Sequence, residues 1–268
     1  MALAAPEFVL VHAVLQPPGI VSRDPGRDEV FIEAVREQFP NVVSRQFLPI
    51  EVPAQTPHLT LASSSSQLAL SAAQADFEVR FYGDYRTERD HALQYVENKL
   101  LAILAGYRAI DVTPAGIGLI STLQFRARDT AESPVEHVLR THLRSDLEPS
   151  ELQDAIVRIA LKVRDTYFVN LTVGNYESRI FERPMMPGIG PIRVRPWEGR
   201  VDAVGLELTL DINNTLEGRV KRSDPVVTED GVRAVLGLLR EVAVNQGPAF
   251  VETGEISTAG LVESSSAA

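Results

Sequence analysis

Apolar positions along the chain switch between a period of two and a period near 3.6, and the switches mark out strands and helices. The β-branched run Phe8-Val-Leu-Val-His-Ala-Val-Leu15, closed by Gln16-Pro-Pro-Gly19, predicts a buried strand. Between Asp28 and Phe39 the residues Val30, Phe31, Ala34, Val35 and Phe39 recur at helical spacing until Pro40 stops them. Three short segments with turn residues between them follow, 45–51, 58–62 and 67–71 running on toward 76–82, and predict an antiparallel meander. Thr87-Glu-Arg-Asp90 then resembles a helix start, and Leu93, Val96, Leu100, Ile103 and Leu104 form one apolar face ending at Gly106.

From Tyr107 the order begins again. Residues 108–128 predict a strand interrupted by Pro114-Ala-Gly116 and Gly118, and 134–143 a short helix. A strand over 154–163 turns at Arg164-Asp165 into a hairpin partner over 166–176. After a Pro/Gly-rich loop comes a strand over 204–212, with Leu206, Leu208, Leu210 and Ile212 on one face and Glu207, Thr209 and Asp211 on the other. Thr228 caps a helix carrying Val232, Val235, Leu236, Leu239 and Val242, closed by Gly247-Pro248.

The expected fold is α+β. It consists of two pseudo-repeated strand-helix-three-strand-helix halves, 1–106 and 107–253, with antiparallel sheets and helices on one face, then a disordered tail over 254–268. Two lobes around a cleft and one continuous, strongly curved sheet both satisfy the pattern. In layout the chain resembles an uncharacterised, widely scattered bacterial family of α+β proteins of similar length. The likeness lies in the helix over 29–40, the meander, the long helix after Tyr85 and the strand over 206–212 before a closing helix. It implies the α+β fold and brings no activity or residue roles with it.

Composition narrows the function classes. Thirty-six acidic against twenty-six basic side chains leave a formal charge of −10 over 268 residues, which argues against the cationic surface that nucleic-acid binding uses. No run reaches the roughly 18 apolar residues of a membrane helix, and the first residues carry no basic segment of a signal peptide. With no cysteine there is neither disulfide nor thiol nucleophile, and a cytoplasmic location is expected. Only three lysines occur, so the positive charge is almost all arginine, matching the codon bias of a GC-rich bacterial genome. Neither Gly116-x-Gly118 nor Gly188-x-Gly190 stands between a strand and a long helix, so no nucleotide cofactor is expected, and the histidine spacings predict no metal site.

Two constellations could carry function. His58-Leu-Thr60 in a strand would place imidazole and hydroxyl on one face. Phosphoesterases that resemble this use two such pairs, and the second half offers Asn170-Leu-Thr172, whose Asn cannot serve as acid or base. His58, Thr60 and Thr172 are thus the alternative catalytic set, set against a half-buried strand histidine. The second is the segment 182–200, with four prolines, four arginines, two of the three methionines and the only tryptophan. Trp and Arg are enriched at binding hot spots and Met adapts to irregular partners. Arg183, Met185, Met186, Arg193, Arg195 and Trp197 are therefore the candidate binding residues; alternatively Trp197 folds back on its own sheet. These readings favour a non-catalytic protein that engages a protein partner, immunity- or antitoxin-like or a defence accessory. A ligand-binding or phosphoesterase-like enzyme with a cleft between the halves is the alternative. An exposed meander edge would also allow a homodimer.

Overall fold

Strand alternation is realised nine times among the described residues, and all nine strands join one antiparallel sheet. The structure, a computed structural model, describes residues 1–49, 51–129, 132–143, 152–163, 167–180, 199–214 and 226–257. The strands are β1 (Glu7–Gln16), β2 (Asn41–Arg45), β3 (Leu59–Ala62), β4 (Ser66–Leu70), β5 (Ala75–Arg80), β6 (Gly116–Arg126), β7 (Ile156–Val163), β8 (Tyr167–Ile180) and β9 (Arg200–Asn213). Their order is β2-β3-β4-β5-β1-β6-β9-β8-β7.

Of the two arrangements that the sequence pattern allows, the structure has one continuous sheet, joined by the seam at its centre. β1 and β6 pair antiparallel from Glu7↔Gln124 to Gln16↔Gly116, which makes one sheet of both parts of the chain. Period-two patterning says which face of a strand is buried but not which strand is its neighbour, so the seam is invisible in it. A bulge between Phe8 and Leu10 keeps Phe8 and Val11, three residues apart, on the same buried face. Ala13, Leu15, Phe77, Leu119, Leu123, Leu208 and Leu210 continue that face, all fully buried. Each such leucine or phenylalanine stabilises the fold by roughly 1.5–3 kcal/mol through area removed from water.

The helices are α1 (Pro25–Val35), α2 (Arg89–Ala109), α3 (Pro134–Val138), α4 (Glu229–Arg240) and α5 (Gly247–Thr253). The apolar stripes expected on α2 and α4 are buried, α2 meeting β1 and β5 and α4 meeting β6 and β9. Asp24 accepts the Gly26 N–H at 3.0 Å and Pro25 opens α1, so that helix starts before its apolar periodicity begins. Gly106 does not end α2. A Cβ there would lie 2.7 Å from the Phe31 ring and 2.8 Å from Val35, so the glycine lets α1 and α2 approach closely. Gly247-Pro248 likewise opens α5 instead of closing α4, and a π-helical turn, Glu241–Gln246, joins the two.

One rim of the sheet is the short strand β2, where Val42 is 51% and Val43 62% exposed. Of the expected tail, 254–257 are described, with Gly254 in the left-handed conformation that caps α5, and 258–268 lie outside the described residues.

Candidate functional site

The His58/Thr60/Thr172 set does not assemble. β3 begins at Leu59, so His58 stands just before the strand and reaches α1, its Nε2 3.1 Å from Asp28 Oδ1. Thr60 alternates with the buried Leu59 and Leu61 and lies on the opposite face, in line with Ala69 and Asp76. Thr172 sits on β8, with five strands between it and β3, so that six spacings of about 4.8 Å put the two roughly 29 Å apart along the sheet. Strand periodicity placed His58 and Thr60 together only because it assumed the strand had already started. The six candidate binding residues Arg183, Met185, Met186, Arg193, Arg195 and Trp197 lie outside the described residues.

The residues that flank the segment carrying them pair within the sheet. Ile180 of β8 pairs with Arg200 of β9, and the Arg179 Nη1 donates to the Gly199 carbonyl at 2.9 Å. The connection therefore leaves and re-enters the sheet at one point. Ile180 and Val201 are both exposed there, at 43% and 42%.

No family model and no curated protein matches the chain.

His58 and Asp28 form a buried pair, 4% and 7% exposed. Asp28 also faces Arg45, whose Nε is 3.6 Å from Asp28 Oδ2 and whose Nη2 donates to the Pro25 carbonyl at 2.6 Å. An unpaired carboxylate at this depth would cost several kcal/mol, so the imidazole and guanidinium make the burial tolerable. A cavity of about 10 Å³, the size of about one water, is lined by His58, Tyr107 and Ser71. Burial raises the Tyr107 phenol above its ordinary range, with the Asp76 charge adding to it. This arrangement orders the α1–β3 junction and is too small to admit a substrate.

A second cluster, overlooked by sequence reading, joins the β3–β4 turn to α2. The Tyr95 hydroxyl lies 2.9 Å from Ser63 Oγ and 3.0 Å from Ser66 Oγ, and Ser65 Oγ donates to it at 3.3 Å. Four residues on, Lys99 is 4% exposed. Its ammonium donates to the Gln38 carbonyl and, at 3.1 Å, to Ser63 Oγ, and lies over the Phe39 and Tyr95 rings. Burial lowers the Lys99 pKa, opposed by the neighbouring Tyr95. For Tyr95 burial acts upward, but the three serine hydroxyls and the Lys99 charge outweigh it and bring the phenol below its usual range. An open pocket of about 220 Å³ adjoins, bounded by Ser64, Ser65, Arg80, Tyr82, Tyr85 and Tyr95. The available signal was the four-residue spacing of Tyr95 and Lys99 on α2, together with a run of four serines.

On the other sheet face His12 Nε2 lies 3.4 Å from Asp76 Oδ1, and Gln74 donates to the same carboxylate at 2.9 and 3.0 Å. Farther along, Asn170 and Asn213 each donate to Asp211 at 3.0 Å, tying β8 to β9 through side chains. Among the described residues no three carboxylate or imidazole groups converge on a common point that could hold a metal ion.

Proposed function

We propose that this is a cytoplasmic, non-catalytic binding protein that captures a protein partner with a basic surface at the end of the sheet where β8 passes to β9. The observation that carries the reading is the closed connection between Ile180 and Arg200, a segment rich in Pro, Arg and Met with Trp197 near its end. Because both ends are held in one antiparallel register, and because proline limits the unfolded freedom of the segment, docking costs less ordering entropy. Ile180 and Val201 add apolar area beside it. The charge of −10 supplies complementarity to a basic partner and speeds association, as in immunity- and antitoxin-like proteins.

In this reading Trp197 is the anchor, Arg193 and Arg195 pair with acidic or carbonyl groups of the partner, and Met185 and Met186 adapt to its apolar relief. The test compares wild type with Trp197→Ala for partner capture and for thermal stability. Loss of capture with an unchanged melting temperature supports the reading, whereas a large loss of stability makes the tryptophan a core residue. The exposed Val42 and Val43 on the β2 rim favour a second, compatible association, pairing of two copies along β2. Sedimentation of wild type against Val43→Lys checks it: a dimer that the lysine dissolves supports rim pairing, and a monomer at all concentrations removes it.

A further inference from the structure

We propose that the pocket between the Ser63–Ser66 turn and the Tyr82–Tyr85 segment is a small-molecule site for a single-ring aromatic anion, independent of the protein-binding end of the sheet. Its volume of about 220 Å³ is above the roughly 150 Å³ that encloses benzene and below the roughly 300 Å³ at which drug-sized ligands begin. One ring with one charged substituent fits that interval.

The walls favour a ring. Phe81 and Tyr85 stack at 6.5 Å, and Tyr85 meets Tyr95 edge-on at 5.9 Å. Tyr82 and Tyr85 nevertheless remain 68% and 47% exposed, so a planar ligand would remove from water aromatic area that the fold leaves uncovered. The polar groups favour an anion. Ser64, Tyr95 and Arg80 can donate, and among the described residues no carboxylate lines the pocket, in a chain whose net charge is −10. Arg80 spends its Nε on Glu78 at 3.0 Å, and its four remaining N–H donors have no protein partner among the described residues. Guanidinium forks suit carboxylate and phosphate alike.

Tyr95 is the positioning element. Three serine hydroxyls and the buried Lys99 fix its ring and hydroxyl, and the same neighbours make the phenol more acidic, which strengthens it as a donor to an anionic oxygen. The serine and lysine shell thereby gains a purpose that packing alone does not give it.

The test titrates the full chain with benzoate, phenyl phosphate and, as the neutral ring, benzyl alcohol, followed by amide chemical shifts and calorimetry. The expected result is saturable binding of one or both anions, with shifts centred on 63–66 and 80–85. Benzoate alone would make the site one for carboxylates, phenyl phosphate alone one for phosphates, and either supports the class. Benzyl alcohol should bind at least about tenfold more weakly, and Arg80→Gln and Tyr82→Ala, both exposed side chains, should each weaken the anion about tenfold. Tyr95→Phe should weaken it severalfold. No saturation by either anion up to about 20 mM, equal binding of the neutral ring, or an unaffected Arg80→Gln variant would each overturn the proposal.

Discussion

On the side of the β1/β6 seam that runs β5-β4-β3-β2, Asp28, His58 and Lys99 are buried among aromatic rings. On the side that runs β9-β8-β7 the equivalent depth is filled by Val169, Leu171, Leu206, Leu208, Leu210 and the valines and leucines of α4, with His137 the one buried histidine, acid or base among the described residues. His137 is satisfied by the Val251 carbonyl, 3.0 Å from its Nε2. Interior charge is costly wherever it is not matched, so the first side must keep several partners in register to remain folded, while the second needs only shape and volume. The polar side is thus where small shifts in geometry change chemistry. The apolar side is packed by shape alone, and its strands β8 and β9 hold the two ends of the connection in register.

Substitutions that remove volume on the one side and charge on the other test the contrast. Leu210→Ala empties a fully buried position in the middle of the sheet and should cost about 4 kcal/mol, read from urea unfolding. Asp28→Ala leaves His58 without its carboxylate and should cost about 3 kcal/mol, and Asp28→Asn should recover part of it. If the loss from Asp28→Ala were below about 0.5 kcal/mol, the buried pair would contribute nothing and the contrast would fail.

Lys99→Met exchanges a buried charge for an apolar chain of similar length and should alter stability by no more than about 1 kcal/mol. Its signature is spectroscopic: without the ammonium the Tyr95 phenol should titrate at higher pH, visible as delayed tyrosinate absorbance relative to wild type.

The smallest effect belongs to the other sheet face. The hydrogen bond to Asp76 raises the His12 pKa above its ordinary 6.5, burial opposing and the charges of Asp76 and Glu78 assisting. A raised folded value means that this contribution is complete below 6.5 and is lost as pH climbs through the raised value. For Asp76, burial acts upward, but hydrogen bonds from His12 and Gln74 bring its pKa below the ordinary 3.8, so its contribution holds above 3.8 and is lost as pH falls through the lowered value. Both groups are partly solvated, which limits the effect to less than about 1 kcal/mol. His12→Gln should flatten the stability profile above pH 6.5, as measured by thermal melts across pH.

Elements with a clean apolar period were legible in the chain, and contacts set by pairing or by a single residue were not. The stripes Leu93 to Leu104 and Val232 to Val242 read correctly because one helix face packs against one sheet face. The strand expected over 45–51 belongs instead to Asn41–Arg45, since Pro40 is a start as well as a stop. The helix start read at Thr87 also misplaced the cap, because the Thr87 hydroxyl donates to the Asp84 carbonyl and α2 begins at Arg89. Gly106 and Gly247 were misread as terminators, because a glycine needed for close approach and one needed at a helix end look alike in sequence. Of the polar clusters, His58 was visible as a residue but Asp28 was not as its partner. The Tyr95 cluster is assembled from segments about thirty residues apart, beyond any local pattern.

The measurement that bears most directly on the account is affinity capture from the source-cell lysate by wild type and Trp197→Ala side by side, with melting temperatures of both. The account predicts one basic protein recovered in stoichiometric amount by wild type and lost by the variant, at melting temperatures within about 2 °C of each other. Equal recovery by both proteins, or a variant that melts many degrees lower, would contradict it.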